Sequence, residues 1–157
     1  MKESQPRKPL SGLKAAAIAA TMKVYTRLNV VVFWLSIGRW MNTFPGGFPI
    51  CLVTVEGRKS KVKRDVPLLH LPFMEKKILL ASQGGLPRNP AWYYNVVANP
   101  HIAVTVHGST RNYRAGEMNR QEKQHFWPHI IAMYPDFAMY AARTERDIPI
   151  FICSPND

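Results

Sequence analysis

The chain has 157 residues, 46% hydrophobic and 20% charged, which excludes bulk disorder and fits one globular domain with a buried core. Its 21 Lys+Arg against 10 Asp+Glu give a net charge of +11, a balance that attracts polyanions: nucleic acid, anionic lipid or a phosphorylated cofactor. Cys51 and Cys153 stand at opposite ends of the domain without CxxC spacing and read as reduced, buried thiols. No signal-peptide pattern is evident, and the longest apolar run, "VVVFWL" (30–35), is far too short to span a bilayer.

Residues 1–9, "MKESQPRKP", read as a disordered leader. Over 11–37 the pattern is helical: Val24, Leu28, Val31 and Leu35 recur at i, i+4, i+7 and i+11, with Lys23 and Arg27 four apart. Its polar positions are not confined to one face, so it reads as one helix or two. The end, "FWLSIGRWMN", suits a membrane surface as well as packing on the domain. This divides the chain into an amino-terminal leader and amphipathic helix (1–42) and a main domain (43–157).

After the turn "FPGGFP", strands follow: "ICLVTVE", "DVPLLHLP" and "KKILLASQ", expected as a three-stranded meander. "NPAWYYNVVANP" predicts a short helix, with Asn89 as N-cap, Pro90 at the first helical position and Asn99-Pro100 as its end. "IAVTV" and "RNYRA" predict a hairpin through His107-Gly108. Asn119 and Glu122 form a capping-box signature before a helix that Pro128 should kink or restart. "IPIFIC" is a last apolar strand. Central strands with helices at both ends and one inserted give an α+β fold around an antiparallel sheet, expected to form a barrel.

No GxSxG, HExxH or Cys-His frame is present. His125 and His129 are four apart, but Pro128 disturbs that turn and no third ligand follows, so no metal is expected. The run "TVEGRKSKVKR" places five cations in eleven residues around Gly57. No stacking aromatics or groove-reading helix adjoin it, which argues against nucleic acid. A solvated turn gains nothing from such repulsion, whereas Arg58, Lys59 and Arg64 converging on one phosphate would. "ASQGGLPRNPAWYYN" adds a Gly84-Gly85 turn leading into a helix N-terminus, with Trp92 placed to pack on a flat ring. In "MYPDFAMY", Tyr134, Phe137 and Tyr140 recur every three residues. Such rings are usually core, yet two of these carry hydroxyls that need partners.

"GRKS" with Arg64, "ASQGG...NPAWYYN...ANP", "WP...MYP" and "IPIFIC", in this order, make residues 43–155 resemble the deazaflavin-dependent nitroreductases of actinobacteria, also described as coenzyme F420-dependent quinone reductases. The resemblance implies a split β-barrel like that of flavin-binding oxidoreductases, a cytoplasmic enzyme on or off the inner membrane face, and F420 as cofactor. By the same resemblance Arg58, Lys59, Ser60, Arg64 and Pro67 bind the deazaflavin's phosphate and acidic tail. Ser82, Gln83, Ala91, Trp92 and Asn95 wall its ring and linker. Tyr134 and Tyr140 are the catalytic side of the acceptor pocket, completed by Leu69 and Phe137. The nitroimidazole-reducing relative has tyrosines where Leu69 and Phe137 stand and a lysine where Gln83 stands, so a quinone or enone is the safer acceptor than a nitroaromatic. A deazaflavin carries carbon in place of flavin N5 and therefore passes hydride, which asks the protein for position, water exclusion and a proton donor rather than a triad. The alternatives are an FMN- or haem-binding split barrel, or a non-catalytic basic RNA- or membrane-binding module.

Overall fold

The computed structural model describes residues 47–156 without a break, together with Thr43, Phe44 and scattered positions between 13 and 28. Most of the expected amino-terminal helix, and its "FWLSIGRWMN" end, therefore lies outside the described residues. Within them the order is β1 (Thr43–Phe44), β2 (Phe48–Glu56), β3 (Lys63–Leu69), β4 (Leu71–Phe73), β5 (Lys76–Leu80) and a 3-10 turn (Gln83–Gly85). Then come α1 (Ala91–Ala98), β6 (His101–Val106), β7 (Ser109–Glu117), α2 (Arg120–Met133), α3 (Asp136–Ala142) and β8 (Ile150–Pro155).

Every strand pairing is antiparallel, and the sheet runs β1-β2-β6-β7-β8-β5-β4, with β3 also on β2. The stretch "DVPLLHLP", expected as one strand, is two. At His70, whose backbone N–H donates to Pro49 O at 2.9 Å, the chain leaves β2 and begins to pair with β5. One bent segment thus joins both ends of the sheet and turns it into a split barrel. Pro67 and Pro72 sit in this segment because β3 and β4 each pair on one side only, so the missing N–H breaks no ladder. The β6–β7 turn is tight, with His107 and Gly108 both at positive φ (47° and 80°), as a two-residue hairpin requires.

Alternation along β5 separates two cores. Leu79 points inward with Val53, Val104, Phe151 and both cysteines, and Trp92 and Val96 of α1 pack on this barrel core. Ile78 and Leu80 point outward with Ile150, where Ile130, Tyr134 and Phe137 from the carboxy-terminal helices cover them. Cys51 and Cys153 thus share one core, and burial pushes each thiol up to about 12, so neither is a thiolate at neutral pH.

The capping box is present: Asn119 Oδ1 accepts from Glu122 N at 3.0 Å and Glu122 Oε2 from Asn119 N at 2.7 Å. It starts α2 at Arg120, so Pro128 lies inside the helix rather than opening it. Pro128 and Gln124, whose carbonyl would have received the missing bond, both face solvent, where water can substitute. α1 begins one residue later than expected. Pro90 is its N-cap and the Asn89 side chain is engaged elsewhere.

Candidate active site

The basic hairpin joins β2 to β3. Gly57 N donates to Val62 O at 2.9 Å and Lys61 N to Gly57 O at 2.8 Å, closing the loop. Gly57 is buried, and a Cβ there would lie 2.5 Å from Ser60 Oγ and 3.6 Å from Arg64 Nε. The glycine is what lets the Ser60 hydroxyl and the Arg64 guanidinium close over the same backbone. Arg58, Lys59, Ser60 and Arg64 are all exposed, and Lys61 is partly committed to Glu56 at 3.3 Å. The hairpin is tied to α1. Arg58 N donates to Asn95 Oδ1 at 3.1 Å, and the Arg58 guanidinium lies over the Tyr94 ring, 5.2 Å from its centroid. Pro67 is farther along β3, buried and in register with Leu52.

The loop from β5 into α1 carries three successive positive φ angles: Gln83 at 46°, Gly84 at 64° and Gly85 at 79°. A glutamine held there is strained, a cost that folded proteins concentrate at ligand sites. Ser82 is 8% exposed, and its hydroxyl makes no hydrogen bond among the described residues, leaving a donor and acceptor for a ligand. The Gly-Gly pair, expected to let backbone approach a cofactor, splits its roles. A Cβ on Gly85 would stand 2.6 Å from Tyr140 O and 2.8 Å from Arg143 Cβ, so this glycine serves contact with α3, whereas Gly84 faces open space. Ala91 is exposed at the first turn of α1. Trp92 corrects the expectation of an open ring wall. It is 6% exposed in the barrel core, its ring 5.9 Å from that of Phe151, so its indole supports α1 from beneath.

The third group gathers on the outer core. Tyr134 ends α2, donating its N–H to Ile130 O at 2.9 Å, and Tyr140 lies on α3 beyond Pro135. The three rings therefore do not ride one helix. They meet across a corner, with Tyr134–Phe137 centroids 4.9 Å and Phe137–Tyr140 5.9 Å apart, and Phe48 edge-on to Tyr134 at 4.6 Å. The two hydroxyls are 3.3 Å apart. Burial, then the Tyr140 hydroxyl, raises Tyr134 above the ordinary tyrosine range, so it stays a protonated donor at any working pH. Tyr140 is half-buried and Leu69 packs on the same cluster. The four residues expected around an acceptor thus come together.

One residue that braces the loop before α1 had no signal. Arg146, in the linker between α3 and β8, donates to Leu86 O (2.9 Å), Asn89 Oδ1 (2.6 Å), Ala81 O (2.9 Å) and Ser82 O (2.8 Å). Its partners lie 57 to 65 residues away, beyond any local pattern. A cleft of about 270 Å³ between Glu56, Lys63, Asn99, His101 and Asn156 contains none of the expected site residues. His125 and His129 rest edge-on against Phe126 and Phe73, and no group of three potential metal ligands occurs among the described residues.

Hairpin, α1, loop and α3 therefore form one chain of contacts from exposed cations to paired hydroxyls. The family profile described as F420H(2)-dependent quinone reductase matches residues 25–155. The chain belongs to that family. A Mycobacterium tuberculosis relative, Rv3178, is 33% identical over 107 residues, spanning 68% of this chain and 90% of that one. The F420H(2)-dependent quinone reductase Rv1261c of the same species is 26% identical over 129 residues, spanning 80% and 87%. Among solved structures, an F420-H2 dependent reductase (FDR-A) superposes with a TM-score of 0.63 at 39% identity, covering 68% of this chain and 94% of its own. Another, described as a domain-swapped dimer, gives 0.65 at 36% identity, covering 74% and 85%. The family's cofactor is coenzyme F420 and its chemistry is oxidoreduction. The residues present suit such a group: exposed cations around a glycine over which the Ser60 hydroxyl closes, and in the adjoining loop a buried hydroxyl with no hydrogen bond among the described residues.

Proposed function

We propose that this chain binds reduced F420 along the hairpin and the loop before α1, and reduces a quinone held against Tyr134 and Tyr140. The observation that supports this most is continuity: Arg58 touches α1, the loop before α1 touches α3 at Gly85, and α3 carries Tyr140. Arg58, Lys59, Ser60 and Arg64 would hold the anionic tail, while Ser82, Gln83, Ala91 and Asn95 would bound the ring and linker. When bound, the cofactor supplies a hydride. The protein's task is then to place an acceptor carbonyl within reach of Tyr140 Oη, whose proton stabilises the developing oxyanion. Tyr134, kept protonated by burial, shares a hydrogen bond with Tyr140 Oη across 3.3 Å and so holds that hydroxyl in place. The buried Phe137 and the partly buried Leu69 give an apolar wall that suits a quinone or enone better than a nitro group. Titration with oxidised F420, FMN and haem tests the assignment: saturable binding of F420 alone is expected, and preferential binding of FMN or haem overturns it.

We further propose peripheral contact with the cytoplasmic face of an anionic membrane, where quinones dissolve. Support comes from the helical positions Leu13, Ile18, Val24 and Leu28, which are 89%, 39%, 61% and 58% exposed, and from the +11 charge. No helix among the described residues is long and apolar enough to cross a bilayer. Removal of residues 1–37 is expected to abolish co-sedimentation with anionic vesicles and preserve F420 binding; equal sedimentation of both forms refutes the contact.

A further inference from the structure

We infer that Arg146 is a positioning residue for the cofactor: its guanidinium sets the loop that carries Ser82 and Gln83, and ties that loop to the helix carrying Tyr140. The inference rests on the proposed F420 site and adds to it a residue that would touch neither cofactor nor acceptor.

All three guanidinium nitrogens are engaged, and their targets bracket the loop. Nη2 holds Ala81 O and Ser82 O where β5 ends, while Nε and Nη1 hold Leu86 O and Asn89 Oδ1 where α1 is about to begin. Between these anchors lie Gln83, Gly84 and Gly85, all at positive φ. Within the loop only Gly85 N to Ser82 O (3.0 Å) and Leu86 N to Gln83 O (3.2 Å) cross-link the backbone. Two such bonds cannot select a strained conformation against the many that a Gly-Gly segment can adopt. A planar fork with fixed donor directions can, because its acceptors must occupy set points in one plane.

The four acceptors are three backbone carbonyls and a neutral amide. Burial lowers the guanidinium's pKa below its ordinary value, though it remains charged at neutral pH. A partly buried cation hydrogen-bonded to neutral groups is a costly way to stabilise a loop, since an apolar side chain would serve packing as well. Geometric specificity is what it adds. Ser82 O receives both Arg146 Nη2 and Gly85 N, so the backbone that aims the Ser82 hydroxyl is held from two sides. Arg146 lies four residues beyond the end of α3, and Gly85 presses on α3 at Tyr140 O and Arg143. Loop and α3 are thereby held in one relative position.

The test compares wild-type, Arg146→Lys, Arg146→Met and Lys123→Met protein. Lys123 anchors the same linker through Asp147 (2.7 Å) without touching the loop, so it reports linker position without the guanidinium. Oxidised F420 is titrated by its ring absorbance, and amide hydrogen exchange of the cofactor-free proteins is followed at Gly85 and Leu86. In Arg146→Lys and Arg146→Met the F420 dissociation constant is expected to rise about ten- to a hundredfold, with exchange at those amides faster by about tenfold. Lys123→Met should stay within about twofold of wild type in both readouts. In steady state the Arg146 variants should show a raised KM for reduced F420 and a smaller change in kcat. Arg146 variants that melt earlier but bind F420 as wild type does at a temperature where both are folded overturn the inference and leave the F420 site standing. An equal loss in Lys123→Met also overturns it, because the linker and not the guanidinium would then be responsible. Failure of the wild-type protein to bind F420 overturns the site and the inference together.

Discussion

Removing the Tyr140 hydroxyl separates a catalytic pair from a merely packed one. Tyr140→Phe retains the ring contacts with Phe137 and Tyr134 at 5.9 and 6.2 Å and deletes only the hydroxyl 3.3 Å from Tyr134 Oη. Tyr134 is 8% exposed, so its hydroxyl loses a partner where water has little access. A neutral hydrogen bond contributes about 0.5–1.5 kcal/mol net, and the long separation points to the lower half of that range. The melting midpoint should therefore fall by only a few degrees. Turnover should fall further. Loss of one donor to a developing oxyanion costs up to about 10²–10³ in kcat, and water entering a half-buried position offsets part of it, leaving about ten- to a hundredfold. Tyr134→Phe should leave a smaller defect, because its hydroxyl acts on the acceptor's oxygen through that of Tyr140, and the double variant should be no worse than Tyr140→Phe alone. The assay is quinone-dependent oxidation of F420H2 with melting on the same samples. A Tyr140→Phe protein that is destabilised yet keeps wild-type activity per folded molecule refutes the reasoning and returns both hydroxyls to the core.

Arg58→Ala/Arg64→Ala should weaken F420 binding by about one to two decades and flatten its salt dependence, since each charged contact is worth roughly 1.5–3 kcal/mol; unchanged affinity places the anion elsewhere. Gly85→Ala meets both a φ of +79° and the Tyr140 carbonyl, so a loss of about 2–4 kcal/mol is expected in denaturant melts, whereas Gly84→Ala, with open space around it, should lose only about 1. His70 is held down to about 4 by burial first, then by Lys77, whose ammonium donates to its Nε2 at 3.0 Å, and by His107. Because the folded value lies below the unfolded one of 6.5, the unfolded chain gains the proton first as pH falls. Stability is complete above pH 6.5 and declines toward pH 4 by about 1–2 kcal/mol after allowance for half-exposure, and melting of Lys77→Met across that window should show a shallower slope.

Features written in neighbouring residues were readable before the structure. The His107-Gly108 turn and the Asn119/Glu122 box each carry their physics within a few positions, and each stands as read; the cation-rich run forms the hairpin between β2 and β3. The run "KKILLASQ" read as a strand but did not show what covers each of its faces, because the covering helices come some forty residues later or more. Trp92 shows the same limit. An aromatic near a helix start can face a ligand or a core, and only the position of Phe151 decides. Asn89 has good N-cap chemistry, yet a guanidinium 57 residues away claims its side chain, and the cap moves to Pro90. The Gly-Gly turn was visible, but its direction was not, since Gly85 answers to α3. "DVPLLHLP" hid its break because the bend at His70 exists only to let the sheet close.

In the proposed reaction this chain passes a hydride from F420H2 to a quinone at the site bounded by the hairpin, Ser82 and Tyr140. Anaerobic turnover of F420H2 deuterated at the deazaflavin C5 with a soluble benzoquinone, following both species together, tests it most directly. One F420 formed per quinol, a primary isotope effect in single turnover and no one-electron semiquinone signal are the predicted results. Quinone-independent oxidation of F420H2, or activity that persists undiminished in Arg58→Ala/Arg64→Ala/Tyr140→Phe, would contradict it.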